Sequence, residues 1–534
     1  MPSAQQEENA NADGTSKPAS EMKTGMSNDR PFLAKFAPIL LSCIALLAPA
    51  FTWAAPDWSD DILYFVLIDR FADGDNTNNY HVERHNPGGY HGGDLKGLTQ
   101  HLDELADLGI TAIWINPVQK QVNQGFYASA PANLGIGEFK HWGFHGYWID
   151  DFTKMNPQFG TLDDLKQFVS EAHKRHIKVL LDVVYNHAGY GSSYETRKTS
   201  DGQTWIRFGE GNCDVDPVTC RVGGLPDFRT ELPEVRDYLL NANITLAKEA
   251  GVDGFRLDTF KHVDTPFWLE HRRRTRAELG QDFFLLAEYW GGNADSLDPF
   301  FAQDEIDAGF DFGFKGSCES FVNGRGRSIA YGAYLKSRHK VRKGYLLADY
   351  LSSHDEPMAL YDLGNDKDKF RICAAIQMTS IGMPVIYYGE EVARKGSVWP
   401  LNRTDMPWDD RDILPGKGKP RDEAMHAYYK SLLHIRRHHP ALSRGDYTQL
   451  SGPKDPLLAY IRHDESSGDA VTVLVNRDDK VATADYALPD YWNGKPVKDE
   501  LNDKAVILKD GHLVIDLPPE SEGIYSMESG KEGD

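Results

Sequence analysis

Arg256 and Asp258 stand two residues apart in the string GVDGFRLDTFKHV. On an extended segment that spacing turns both side chains to one face and holds a carboxylate beside a fixed cation. Glu288 ends a second apolar run, FFLLAE, and His354 and Asp355 follow a third, YLLADYL. An acid kept ionised by a cation and a second acid able to keep its proton are the two halves of nucleophilic and general acid–base chemistry. Three acids, each at the end of an apolar run, point to one active site.

Such acids converge if the runs are parallel strands of a (β/α)₈ barrel, whose chemistry sits at the carboxyl ends of strands with buried upstream residues. Eight runs fit, at 62–69, 111–116, 178–184, 254–258, 283–288, 308–314, 345–351 and 384–388. Helical-period stretches lie between them at 95–109, 161–176, 231–251 and 370–382. Strands alternating with helices give a parallel sheet. The expected class is therefore α/β, a TIM barrel with an inserted loop domain after strand 3 and a C-terminal antiparallel β-sandwich.

The 534 residues exceed one barrel. We expect barrel segments at 56–187 and 234–442, an insert at 188–233 that carries two cysteines, and a sandwich with an acidic tail at 443–534. Residues 1–55 read as a polar leader followed by a secretory signal peptide, so export to the periplasm or medium is expected. Cys43, in LLSC, offers a lipid-anchoring alternative. The apolar stretch is short and contains Pro38 and Pro49, which argues against a membrane span in the mature chain.

The formal net charge of −22 excludes a surface generally directed at nucleic acid and fits a neutral ligand. Cys213 and Cys220 close a short loop that an exported protein could oxidise. Cys318 and Cys373 are read as buried free thiols, although spacing alone does not decide. No CxxC or HExxH string offers a zinc site. DRFADGDNTNN gathers Asp73, Asp75, Asn78 and Asn79 in one loop, and GGD adds Gly92 and Asp94. Hard oxygen ligands at these spacings suit Ca²⁺.

DVVYNH (182–187), GFRLDTFKHV (254–263), AEYW (287–290) and SSHD (352–355) occur in this order, supported by GITAIWINPV, HGYWIDDF, GLPDF and GMPVIYYGEE. Together they resemble the α-amylase family of retaining glycoside hydrolases from about residue 60 to 527. The resemblance implies that Asp258 is the nucleophile, Glu288 the general acid/base and Asp355 the third acid, which stabilises the distorted sugar. It makes His187 and His354 hydrogen-bond donors to that sugar, Tyr147 its stacking face, Arg256 the partner of Asp258, and Lys261 a contact on the leaving-group side.

The loop of Asp73, Asp75, Asn78, Asn79, Gly92 (through its carbonyl) and Asp94 is similar to the calcium loop of cyclodextrin glucanotransferases. The family's calcium site between barrel and insert maps to Asn186, Asp227 and the carbonyl of His262. Its acidic ligand from the insert has no counterpart here, because Val218 and Thr219 precede Cys220.

Ser353 stands where Asn is common and Ala287 where Gly is usual. The Lys261–His262 pair resembles amylases and glucanotransferases more than the cyclodextrin-cleaving branch. With one sandwich, soluble maltooligosaccharides are favoured over granules. The resemblance thus implies hydrolysis of α-1,4-glucosidic bonds in starch-like glucans or maltooligosaccharides with retention. Transglycosylation on the same site is the alternative, and a non-catalytic sugar-binding relative a more distant one.

Overall fold

The computed structural model describes residues 57–209, 211–408 and 421–527. The leader, its signal-like stretch, Cys43 and the tail after 527 lie outside the described residues.

Eight parallel strands close into a barrel: β1 Leu63–Val66, β2 Ala112–Ile115, β3 Lys178–Val183, β4 Gly254–Leu257, β5 Phe284–Ala287, β6 Ala308–Asp311, β7 Leu346–Tyr350 and β8 Met383–Tyr387. Each pairs with its sequence neighbours, and β1 closes the ring against β8 with Leu63 opposite Val385. All eight runs expected from the sequence are strands. β1, β2, β4, β5, β6 and β8 are buried at every residue, as a sheet covered on both faces requires.

The helices begin and end where their residues direct. Thr161 caps Leu162–Lys174 in a reciprocal capping box with Asp164. That helix turns Leu165, Phe168, Val169 and Ala172 inward. Pro233 starts Pro233–Ala250, and Gly251, at φ +77°, ends it in the left-handed region. The stretch 95–109 divides at His101 into Leu95–Gln100 and Leu102–Leu108. The His101 ring there stacks on Trp408 at 3.8 Å.

Two excursions leave the top of the barrel. After β3, residues 188–233 form a short two-stranded ribbon, Ile206–Arg207 against Asp227–Phe228. After β2 lies a second excursion that sequence patterning does not reveal. It contains the pairs Gln119–Gln121 with Ile149–Met155 and Phe126–Ser129 with Glu138–His141, and it carries Tyr147.

The C-terminal strands are β9 Asp446–Gln449, β10 Leu458–Asp464, β11 Asp469–Asn476, β12 Ala482–Ala487, β13 Val497–Asp499, β14 Lys504–Val506, β15 His512–Leu517 and β16 Ser521–Met527. They form an antiparallel sheet in the order β9-β10-β11-β16-β13-β14 and a second ribbon, β12-β15. Their own core holds Leu474, Leu513, Trp492 and Tyr525. No helix among the described residues is long and apolar enough to cross a membrane.

Both cysteine pairs are disulfides. Cys213–Cys220 closes the expected loop. Cys318–Cys373 corrects the expectation of free thiols: helices Gly313–Val322 and Lys367–Thr379 bring their Cα atoms to 5.9 Å, within bonding range although 55 residues apart.

Candidate active site

Alternation along β4 turns Phe255 outward, toward His271 on the covering helix, and Arg256 inward. Arg256 Nη1 lies 2.8 Å from Asp258 Oδ1 and 3.1 Å from both oxygens of Asp182, and its Nη2 lies 2.9 Å from Glu288 Oε1. One buried guanidinium therefore touches three carboxylates. Its carbon also lies over the Trp114 ring, 4.9 Å from the centroid.

Asp258 and Glu288 sit just past β4 and β5, where their backbone N–H groups still donate to Val183 and Leu257 of the preceding strands. Glu288 Oε2 accepts from the Thr259 backbone N–H at 2.8 Å. Thr259 adopts φ +47°, ψ +38°, costly for a β-branched residue and the kind of strain that collects at functional sites.

Burial sets the charges. Glu288 is pushed up to about 8, first by desolvation and then by the neighbouring charges of Asp258 and Asp355, despite Arg256. Asp182 is pushed up to about 7, again by desolvation first. One cation cannot neutralise three buried acids, so the cluster keeps a proton near neutral pH.

Asp355 stands at the mouth, with Oδ1 3.0 Å from Arg403 Nη2 and Oδ2 3.2 Å from His354 Nε2. Desolvation raises its pKa, but the charges of His354, Arg403 and Arg256 outweigh this and leave it below the ordinary value. Because burial brings His354 itself down to about 3, the imidazole is neutral at pH 7 and Arg403 is the operative cation. Arg403 Nε also donates to the His354 carbonyl at 2.8 Å.

His187 is also kept neutral by burial. His187 Nε2 and His354 Nδ1 are buried without a hydrogen bond inside the protein. Unpaired buried polar atoms are costly, and a ligand rich in hydroxyls would satisfy them. The Tyr147 ring stacks on His354 at 5.4 Å, while its hydroxyl donates to Asp182 at 2.7 Å. Lys261 Nζ lies 5.6 Å from the centre of the Tyr289 ring.

The structure thus brings Tyr147, His187, Arg256, Asp258, Glu288, His354 and Asp355 to the same end of the barrel. It adds groups that sequence reasoning missed. Asp182, inside DVVYNH, accepts from Tyr147, from Arg256 and from Trp114 Nε1 at 3.0 Å. Trp290, half exposed, lines the same pocket with Phe312, 4.9 Å away. The positions of Asp182 inside DVVYNH and of Trp290 inside AEYW are the signals that could have found them.

In the N-terminal loop, Asp94 caps the helix it precedes, accepting from Gly97 N, and also takes Gly74 N, Asp75 N and Asn78 Nδ2. Asp73 Oδ2 accepts from Asn79 Nδ2 and Arg84. These bonds turn Asn78 Oδ1 and Asn79 Oδ1 inward, where both are buried and unpartnered. A Cβ on Gly92 would come within 2.6 Å of Asn79 Oδ1. Two orphaned carbonyl-type oxygens beside two carboxylates fit a hard cation. Asp75 departs from the expected set: its carboxylate pairs with Lys96 and bonds Thr77.

At the junction of barrel and insert, Asn186 reaches both the His262 carbonyl and Asp227 Oδ1, but Asp227 Oδ2 is already held by Arg207 at 2.8 Å. As placed, the Asn186 side-chain oxygen faces the His262 carbonyl and Asp227 Oδ1, so the three mapped oxygens converge while Arg207 holds only Asp227 Oδ2.

A closed barrel with three acids at its carboxyl-terminal mouth defines a (β/α)₈ enzyme of the glycoside hydrolase type. The family model "Alpha amylase, catalytic domain" matches residues 65–209 and 218–445, so the chain belongs to the α-amylase family. A cyclomaltodextrinase of Geobacillus thermopakistaniensis (strain MAS1) is 29% identical over 509 residues, covering 91% of this chain and 80% of the relative. The periplasmic α-amylase of Escherichia coli (strain K12) is 29% identical over 497 residues, covering 75% and 70%. The crystal structure of an Anoxybacillus α-amylase superposes with a TM-score of 0.76 at 30% identity, covering 89% of this chain and 99% of that one. The chain is an α-amylase-type glycoside hydrolase.

Proposed function

We propose that this enzyme hydrolyses α-1,4-glucosidic bonds in starch-like glucans or maltooligosaccharides by double displacement with retention. The observation that carries the reading is the single Arg256 guanidinium spanning Asp258 and Glu288, with Glu288 protonated near neutral pH. Asp258, paired with a fixed cation, attacks the anomeric carbon. Glu288 delivers its proton to the leaving oxygen, and its carboxylate then activates water against the glycosyl-enzyme. Asp355, held by Arg403, stabilises the positive charge that develops on the sugar ring. His187 and His354 bind its hydroxyls, Tyr147 faces it, and Lys261 serves the leaving-group side.

Asp73, Asn78, Asn79, Asp94 and the carbonyl of Gly92 would hold Ca²⁺, which would rigidify the loop entering the barrel and take no part in the reaction. Export follows from the sequence of the leader. Two disulfides in the folded chain support an oxidising compartment.

Product analysis on maltoheptaose, with and without an excess of glucose as acceptor, tests the proposal. Shorter maltooligosaccharides in both reactions are expected. Longer products growing at the expense of hydrolysis would instead establish a transglycosylase, and a folded protein inert on every α-glucan would establish a sugar-binding relative.

A further inference from the structure

Phe312 lines two cavities. In the catalytic pocket it packs against Trp290 at 4.9 Å, and it also stands at one end of a separate groove of about 430 Å³. Cavities that take small ligands span roughly 300–1,000 Å³. The groove runs between the helix Gly313–Val322, which Phe312 precedes, and the helix Ser328–Ser337. The first of these has 10 residues, about 15 Å of wall at 1.5 Å per residue.

Its walls suit a sugar chain. Gly313, Gly316, Ser317 and Ser320 recur at three- and four-residue spacing, so they share one face of their helix and leave it shallow and hydroxyl-bearing. A Cβ on Gly316 would meet nothing within 4 Å. From the other helix, Tyr331 stacks on Phe321 at 4.5 Å and on Tyr334 at 5.9 Å. Tyr331 is only 7% exposed, and its hydroxyl is buried without a partner, whereas that of Tyr334 donates to Asp311 at 3.2 Å. An unpaired buried hydroxyl is costly, and a ligand rich in hydroxyls supplies what it lacks. Arg325 and Arg327 stand exposed in the turn between the helices and offer planar donors.

The groove is built before any ligand arrives. Cys318 bonds its helix to Lys367–Thr379. Arg477, just past β11, donates to the Phe321 carbonyl at 2.8 Å and to the Gly326 carbonyl at 2.7 Å, and Ser328 Oγ donates to the Pro456 carbonyl at 2.6 Å. Both walls and the turn joining them are thus fixed to the barrel or to the C-terminal strands, which lowers the ordering cost of binding.

We propose that this groove binds the leaving-group end of a long α-glucan chain, continuing the catalytic pocket past Trp290 and Phe312. Glu288 protonates the leaving oxygen, and Trp290 lies two residues beyond it in the same pocket, so the chain that passes Trp290 and Phe312 is the leaving-group chain. The proposal rests on the α-glucan reading of the catalytic site and adds to it a preference for long substrates.

Gly316→Trp fills the groove from an exposed helical position where glycine is a poor helix former, which favours folding of the variant. Gly316→Ala adds one carbon to open space and serves as the control. Steady-state kinetics compare maltotriose with soluble amylose. For Gly316→Trp, kcat/KM on amylose is expected to fall about fivefold or more through KM while that on maltotriose stays within about twofold of wild type. Gly316→Ala should match the wild type on both, and Arg325→Ala/Arg327→Ala should weaken amylose alone. Unchanged amylose kinetics in Gly316→Trp, or equal losses on the two substrates, overturns the proposal and leaves the catalytic reading intact. A folded wild type inert on both substrates removes the catalytic reading and the groove's role with it. Should Gly316→Trp not fold, the arginine pair decides by the same criteria.

Discussion

Arg256 Nη2 lies 2.9 Å from Glu288 Oε1, yet the cation does not hold Glu288 ionised at neutral pH, because desolvation and the two neighbouring acids outweigh it. This has opposite consequences for turnover and stability. Glu288→Gln is expected to reduce kcat by several orders of magnitude. A carboxyl raised from its ordinary value of 4.5 to about 8 binds a proton in the folded state that the unfolded chain has released. Folding stability therefore falls as pH rises through that window. Gln cannot titrate, so the variant should gain stability over the wild type progressively from pH 5 to pH 8 and hold the gain above it. Melting curves across that range check this; a constant difference would contradict the raised pKa. For the wild type, kcat/KM should fall on the alkaline side with a midpoint near pH 8.

Arg256 is the only positive charge in direct contact with Asp182, Asp258 and Glu288 together among the described residues. Arg256→Met leaves three buried acids without it, and removing one partner of a buried ion pair costs about 3–5 kcal/mol. The loss should be larger at pH 8 than at pH 5, where the acids can take up protons. Denaturant unfolding at the two pH values measures it, and equal losses would show that the guanidinium is not the charge that balances the cluster.

Chelation should lower the melting temperature if the orphaned oxygens of Asn78 and Asn79 face Ca²⁺. An ion bound only by the folded state stabilises by about 2.7 kcal/mol at a hundredfold excess over its Kd. Asp73→Ala is expected to abolish the response to EDTA. Asp94→Ala should cost about 1 kcal/mol more even in EDTA, because Asp94 also caps the helix Leu95–Gln100. Identical melting of the wild type in EDTA and in excess Ca²⁺ would refute the calcium loop.

The barrel was legible in the sequence because parallel strands covered on both faces are written as unbroken apolar runs, and FFLLAE or YLLADYL has few other readings. The acids at their ends were legible for the same reason. The excursion after β2 was not. Its strands, such as QKQ and EFKH, are short and polar and show no clean alternation. Arg403 reaches Asp355 from the short 3₁₀ turn Leu401–Arg403, 48 residues downstream, and no periodicity signals such a return. Arg207 and the Cys318–Cys373 bridge belong to the same class: contacts made by chain crossings, visible only once the elements are packed.

Arg403 fixes both the side chain of Asp355 and the carbonyl of His354. Arg403→Ala should leave Asp355 at the mouth without its strongest permanent counter-charge, and kcat/KM should fall at least tenfold, about 1.4 kcal/mol of transition-state stabilisation. Arg403→Lys should restore part of it, since charge is kept while the fork that reaches two acceptors is lost. Steady-state kinetics on maltoheptaose distinguish the two. An alanine variant with wild-type kcat/KM would show that Asp355 is positioned by other groups.

The stereochemistry of the product tests the roles of Asp258 and Glu288 together. If Asp258 attacks from the face opposite the leaving group, the first displacement inverts the anomeric carbon. Water activated by Glu288 then inverts it again and returns the α-anomer. A single displacement by water needs room between the carboxyls, roughly 6.5–9.5 Å rather than about 5–5.5 Å, and gives the β-anomer. Asp258 and Glu288 share one guanidinium, each with an oxygen on it within 2.9 Å, which favours the closer arrangement. Proton NMR of maltooligosaccharide read within minutes of cleavage, before mutarotation, should therefore show the α-anomer first. Initial β-product would remove Asp258 as nucleophile.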